Sequence, residues 1–385
     1  MQRKLRMAMI GGGKDAFIGA VHRLALNMDG LIELVAGSFS SNPEKGLESG
    51  KTLFLDEERI YPDYKSMLEK EAAMPADKRI DFVSIVTPNF AHFEPAMMAL
   101  DKGFNVVLEK PITLTLDEAK KIEEKLKTTG LNLMLCHTYT GYPMIKQAKE
   151  LLANHTLGKI RKIYAEYTQG WLSTFLENTG QTQASWRTNP EKSGKAGCMG
   201  DIGTHAFNLA EYITGLEVTQ ICSTLNTVVE GRMLDDDGAA FLKFNNDATG
   251  VLTATQIAAG EENYIRIRVY GEKGGIEWKQ DDANSLLVKW LDKPNEIYRT
   301  GGAGNGTFAS HNTRIPAGHP EGYLEAFANL YRNFALTLDA KINNQNPEKE
   351  WLDFPGIKEG IRGMAFIENI VASSESNQKW FDFKI

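Results

Sequence analysis

Two short stretches place a lysine or a histidine beside a carboxylate, the pairing that proton transfer to and from a hydroxyl uses. Residues 106–111 read VVLEKP: a β-branched apolar run like a buried strand, then Glu109 and Lys110 where that strand should end. Pro111, which lacks an amide hydrogen, stops the strand. In an open parallel sheet, ligands bind outside the carboxyl ends of the strands, so Lys110 would face that crevice. A plain ion pair at a strand end explains the same residues without function. The second stretch is residues 200–208, GDIGTHAFN. Asp201 and His205 stand one helical turn apart and project from one face, where the carboxylate can fix the imidazole tautomer and raise its basicity. An N-cap aspartate beside a packed histidine is the plainer alternative. A metal pair would need a third ligand, and none stands at a recognisable spacing.

The elements that must hold Lys110 read as strand–helix alternation. Residues 5–10 (LRMAMI) form a buried strand, followed by Gly11-Gly12-Gly13 and, after KDAF, by an apolar helical pattern that Ile18-Gly19-Ala20 open and that runs to about Met28. Strand, glycine turn and helix is the order in which a backbone can approach a pyrophosphate and a helix N-terminus can face it. The spacing is not GxGxxG, because residues 14–18 separate Gly13 from Gly19. The strand at 32–36 is followed by Gly37-Ser38-Phe39-Ser40-Ser41, without the acidic residue that holds a ribose 2′-hydroxyl or a basic one for a 2′-phosphate, so NAD and NADP both stay open. Residues 80–86 make a further strand closed by Thr87-Pro88-Asn89, with His92 opening the next helix. Asn89 could equally cap that helix, and His92 could be a first-turn surface residue. Thr115 with Glu118 forms a capping box for a helix stopped by Gly130, and 131–136 return as a strand. The first domain should end near Tyr139.

Beyond it, 142–154 read as a helix and 160–167 as a strand, whereas 169–197 have little periodicity and carry Trp171, Phe175, Trp186 and Arg187. Long ordered loops of this kind are often functional, and aromatic faces suit sugars, although the tryptophans could simply pack. From 218 to 290 alternation dominates and predicts a large, mainly antiparallel sheet, whose uncovered face would favour oligomerisation. Residues 323–338 and 357–372 are predicted helical.

A chain of 385 residues exceeds one ordinary core and suggests two domains. A net charge of -7 gives no basic footprint for nucleic acid. The cysteines, Cys136, Cys198 and Cys222, show no CxxC spacing and support neither a disulfide framework nor a thiolate metal cluster. No apolar run reaches the length of a membrane span and no leader pattern opens the chain, so a cytoplasmic protein is expected, without membrane association.

The blocks GGGKDAFIGAVHR, LEKP and GDIGTHAFN, in this order and spacing, resemble the Gfo/Idh/MocA oxidoreductases, the glucose–fructose oxidoreductase and inositol dehydrogenase family. The resemblance covers essentially the whole chain, and the glycine loop is longer than the commonest family spacing. It implies an α/β protein with a doubly wound parallel Rossmann sheet over 1–139. Over 140–385 it implies an α/β domain with a large, open-faced, mainly antiparallel sheet that binds substrate and joins subunits into a homodimer or homotetramer. The implied activity is hydride transfer between NAD or NADP and a secondary hydroxyl of a sugar, sugar derivative or cyclitol. The family also holds NAD-dependent glycoside hydrolases, which act by transient oxidation and elimination, and non-catalytic sugar sensors. Lys110 looks like the family's EKP lysine, which positions the substrate hydroxyl and assists proton transfer, and Asp201 and His205 like its acid and histidine pair, with His205 the base. Gly11, Gly13, Phe17, Ile18, Ser38, Thr87, Asn89, His92, Glu109 and Lys110 are cofactor-side candidates, with Trp186 and Arg187 resembling a pair that closes over the nicotinamide. Tyr139, Trp186 and His319 join Lys110, Asp201 and His205 as substrate-side candidates.

Overall fold

Two units account for the chain, Met1–Thr138 with Leu324–Gly360, and Tyr139–Tyr323 with Ile361–Ile385. The structure, a computed structural model, describes residues 3–14 and 16–385. This division differs from a cut near 139 with all later residues in the second domain. Tyr331 and Phe334 explain the difference: the first reaches the Ser84 hydroxyl at 2.9 Å, and the second packs edge-on to Phe82 at 5.4 Å. The middle of the helix Tyr323–Ile342 is therefore part of the first core.

In the first unit β1 (Leu5–Gly11), β2 (Ile32–Ser38), β3 (Phe82–Val86), β4 (Asn105–Leu108) and β5 (Leu133–Leu135) form a parallel sheet in the order β2-β1-β3-β4-β5. β1, β3 and β4 are buried almost throughout, which is why they read as unbroken apolar runs. The chain leaves β1 toward β2 on one side and returns to β3 on the other. The switch point thus lies between the ends of β1 and β3, where Gly11 pairs with Val86. α1 (Phe17–Met28) packs back against this point. A Cβ on Gly19 would stand 2.4 Å from the Gly12 Cα, so the approach of helix to turn requires glycine. The Thr115–Glu118 capping box and the left-handed Gly130 bound the helix Leu116–Thr129 as its sequence predicts.

In the second unit β6 (Ile160–Thr168), β7 (Val218–Asn226), β8 (Asp237–Phe244), β9 (Thr249–Thr255), β10 (Tyr264–Gly271), β11 (Gly274–Lys279), β12 (Ser285–Trp290), β13 (Glu296–Arg299) and β14 (Phe381–Asp382) make one sheet. Its order is β13-β12-β11-β10-β6-β9-β8-β7-β14, antiparallel except for the β6–β9 pair. One face buries Ile163, Ala165, Tyr167, Ile265, Ile267 and Val269. The helices Pro143–Ala153 and Thr204–Thr214 pack on the sheet. The other face carries Tyr164, Glu166, Arg266 and Arg268, with Phe241 exposed. No helix among the described residues is long and apolar enough to cross a membrane.

Candidate functional site

The β1–α1 turn has the shape of a phosphate cradle. Gly11 and Gly12 have φ of 81° and 68°, the left-handed region that glycine alone adopts without strain. Side chains at either position would run into Thr87, Val86 and Met9, and one at Gly13 would meet the Phe39 carbonyl. α1 has no side-chain cap from Ala16 and no acidic residue in its first turn, so among the described residues its N-terminal amide groups and partial positive charge face the turn without an internal anion. Phe17 and Ile18 supply the first of those amides, and Phe17 itself is exposed. Asp15 of the sequence block lies outside the described residues. Ser38 ends β2 buried and opposite Ile10. These features fit a dinucleotide pyrophosphate on backbone donors.

The next rim of the switch point is braced by His92. Its ring is buried between two carbonyl oxygens, with Nδ1 2.8 Å from Pro111 O and Nε2 2.9 Å from Thr87 O. The first-turn surface position is therefore wrong for His92: it ties the loop after β3 to the loop after β4. Burial pushes its pKa down, against the two carbonyls. Asn89 does not cap the following helix either; it starts a short 3₁₀ turn, Asn89–Ala91, and is itself buried. Thr87 donates its hydroxyl to Ala91 O at 2.8 Å.

Glu109 ends β4 nearly buried and is held at both oxygens: Oε1 accepts from His22 Nε2 at 2.8 Å, and Oε2 from the Lys110 amide at 3.1 Å. Burial pushes its pKa up, but the His22 hydrogen bond and the charges of His22 and Lys110 outweigh this and hold it below the usual carboxylate range. Lys110 is half-buried at the strand end, and its bond to Pro111 is cis. Ligand atoms of His22, Glu109 and Cys136 lie within 4.8 Å of one another. A tetrahedral metal with bonds of about 2.0–2.3 Å separates its ligands by roughly 3.3 Å or more, so a 2.8 Å N···O pair is a hydrogen bond. Burial also pushes the Cys136 thiol well up, away from thiolate. His137, buried beside Lys110, falls to about 3 through desolvation first and the lysine charge second, and is neutral.

In the second unit Asp201 belongs to a π-helical turn, Met199–Gly203, which runs directly into Thr204–Thr214. Such turns are frequent at functional sites. No side chain caps either segment, so the N-cap alternative for Asp201 fails. Its Oδ2 instead accepts from Gln256 Nε2 at 2.9 Å and lies 3.4 Å from Arg187 Nε. His205 is nearly buried, with the Tyr139 ring edge-on at 5.0 Å and Tyr167 at 6.2 Å. The Tyr139 and Tyr167 hydroxyls share a 2.5 Å hydrogen bond, and Asn263 bonds both. This is a polar aromatic nest around an imidazole.

The aperiodic segment 169–197 contains three short helical turns, Leu176–Asn178, Thr182–Arg187 and Pro190–Ser193. Arg232 clamps it, bonding the Leu172 and Thr174 carbonyls and the Glu177 carboxylate. Trp186 is half-exposed with the Arg187 guanidinium 4.3 Å from its ring centre. Arg187 thus stands beside Asp201 as well as Trp186. His319 is exposed and donates Nδ1–H to Pro316 O at 3.2 Å.

Known proteins carry both halves of this arrangement. Residues 5–137 match the oxidoreductase family with an NAD-binding Rossmann fold, and residues 145–277 match the GFO/IDH/MocA C-terminal domain. The oxidoreductase YfiI of Bacillus subtilis is 31% identical over 100% of this chain and 98% of its own. The chain belongs to the Gfo/Idh/MocA oxidoreductase family. An inositol dehydrogenase homologue of Azotobacter vinelandii, solved with NAD+, superposes with a TM-score of 0.93 at 32% identity, covering 99% of this chain and 98% of that one. The levoglucosan dehydrogenase of Pseudarthrobacter phenanthrenivorans is 26% identical over 74% of this chain and 76% of its own. As a Gfo/Idh/MocA oxidoreductase, the protein is an NAD-binding enzyme whose dinucleotide fold is the five-stranded sheet.

Several residues of this Gfo/Idh/MocA site escaped sequence reasoning although a signal existed. Gln256 continues the buried alternation Leu252, Ala254 where an apolar residue belongs, and His22 interrupts the buried stripe Val21, Ala25, Leu26. A polar residue in an apolar register is the mark both share. Asp235 left no such mark. Its carboxylate, buried, accepts from the Gly197 amide at 2.6 Å and the Met199 amide at 2.8 Å, and so seats the turn that carries Asp201. Burial pushes its pKa up to about 6 against those donors. A carboxyl with a raised folded pKa stabilises below its unfolded value near 3.9, and that contribution is lost as pH rises through the folded one. Asp235→Asn should therefore flatten the fall in unfolding free energy between about pH 4 and 6, a change of roughly 2–3 kcal/mol. Denaturant melts of both proteins across that window check it, and parallel curves would exclude it.

Proposed function

We propose that the protein oxidises a secondary hydroxyl of a sugar, sugar derivative or cyclitol with NAD, and reduces the corresponding ketone in reverse. One observation carries the reading: His205 stands in a nest of Tyr139, Tyr167 and Asn263, one turn from an Asp201 that is itself oriented by Gln256 and Arg187. An imidazole in such a setting takes a hydroxyl proton, while tyrosine rings and amides suit the apolar faces and hydroxyls of a polyol. Lys110 supplies a positive charge for the oxygen as it loses its proton. Bound nicotinamide supplies the hydride acceptor. Relatives acting on levoglucosan and scyllo-inositol support the substrate class. Gly11 to Gly13 with α1 would hold the pyrophosphate, and β2 ends without an arginine for a 2′-phosphate.

The test is a panel of sugars, cyclitols and anhydrosugars with NAD, read at the absorbance band of the reduced nicotinamide. Turnover of a polyol supports the reading. Cleavage of a glycoside without net NADH would replace it with the oxidation–elimination alternative, and binding of sugars without any turnover with a sensor.

The protein is further proposed to form a homodimer or homotetramer through the outer face of the second sheet. Phe241 is 57% exposed there. Phe241→Asp is expected to lower the mass measured by light scattering, and a wild type already monomeric at high concentration would exclude the assembly.

A further inference from the structure

We infer that His22 is a positioning residue for the Glu109–Lys110 pair: it holds the Glu109 carboxylate in one orientation beside Lys110, and through it sets the negative charge that the lysine meets. The inference rests on the proposed role of Lys110 in the proton step.

A hydrogen-bond count fixes the direction of the first link and, for a neutral His22 ring, of the others. A carboxylate only accepts, so the 2.8 Å contact is a donation from His22 Nε2–H to Glu109 Oε1. In the neutral ring Nδ1 is then an acceptor, and the Tyr331 hydroxyl 2.5 Å away donates to it. The Tyr331 oxygen in turn accepts from the Ser84 hydroxyl at 2.9 Å. Ser84 of β3, Tyr331 of the long helix, His22 of α1 and Glu109 after β4 thus form one chain of donors ending on the carboxylate. All four are buried, so water does not substitute for a missing link. The second oxygen is occupied by the Lys110 amide, which leaves the carboxylate no freedom to turn.

The titratable groups facing Glu109 come from each element around it: His22, Lys110, Cys136, Tyr331, His92 and His137. Burial favours the neutral forms of Cys136, Tyr331, His92 and His137. Without the His22 donor, the buried carboxylate keeps only the Lys110 amide and the weak Cys136 thiol contact, takes up a proton more readily, and weakens the negative charge beside Lys110. The lysine then gives up its proton at lower pH.

The experiment is the pH profile of kcat for the wild type and for His22→Phe, His22→Gln and Tyr331→Phe, with melting temperature and NAD affinity measured alongside. Phenylalanine keeps the ring volume without either nitrogen, whereas glutamine retains a donor for Glu109 and an acceptor for Tyr331. His22→Phe should move the lysine-dependent limb by about one pH unit to lower pH and lower kcat about tenfold, with NAD affinity within about twofold. His22→Gln should restore most of the wild-type profile, and Tyr331→Phe should give a smaller shift in the same direction. Combined with Glu109→Gln, His22→Phe should add nothing further. A folded His22→Phe enzyme with the wild-type profile, or one that loses kcat equally at every pH, overturns the inference. Should His22→Phe fail to fold, an unshifted profile in Tyr331→Phe overturns it. Full turnover in Lys110→Ala would instead overturn the underlying reading.

Discussion

Lys110→Ala lowers kcat by about 10²-fold or more at saturating substrate, measured as NAD reduction with whichever polyol the wild type turns over. The side chain leaves a buried strand end and is half-buried, beside a carboxylate that the core holds in place. In the proposed reaction its ammonium stabilises charge that grows on the substrate oxygen as the proton leaves, an interaction stronger in the transition state than in the ground state, so kcat should fall rather than KM rise. The melting temperature should barely change, because Glu109 keeps its bonds to His22 and the backbone. Lys110→Arg should recover little: a planar guanidinium is larger and does not release its proton. Wild-type kcat in Lys110→Ala would remove the lysine from the chemistry.

His205→Gln should cost about 10²–10⁴-fold in kcat, because in the proposed reaction the imidazole takes the hydroxyl proton and an amide does not. Its neighbours are tyrosines: burial pushes the Tyr139 hydroxyl up, and the Tyr167 hydroxyl well up, so neither serves as a base. Glutamine retains hydrogen bonding and much of the volume, which keeps the nest of Tyr139, Tyr167 and Asn263 in place. The measurement is a steady-state rate together with the affinity for an unreactive polyol. Retained affinity with lost turnover assigns His205 to the proton step, whereas turnover near wild type would reassign the base.

Particular residues show why some of this was legible in the chain. The parallel sheet was visible because β1, β3 and β4 are buried on both faces and admit few polar residues. The helix Leu116–Thr129 was visible at both ends because its capping box and its glycine stop are local interactions within a few residues. Asp201 and His205 were legible as a pair, but the π-helical turn that carries Asp201 was not, since nothing in MGDIG distinguishes it from an α-turn. The bracing position of His92 was not legible for a different reason. Its partners, Pro111 O and Thr87 O, are backbone atoms of two loops, and no side-chain type announces them.

The sequence by itself determined the order of elements, the glycine turn, the strand end bearing Glu109 and Lys110, and the family, because these depend on local periodicity and on blocks of adjacent residues. Only the tertiary structure decided which polar groups meet. Residues distant in the chain, such as His22 with Glu109 and Tyr331, Asp201 with Gln256, and Asp235 with the Gly197 and Met199 amides, find one another because a buried donor or acceptor must be satisfied. The same requirement places nearly all of the helix Tyr323–Ile342 in the first unit: Tyr331 completes a hydrogen-bond chain there, and Phe334 fills its core. Such pairings are set by packing in three dimensions, for which linear spacing carries no signal.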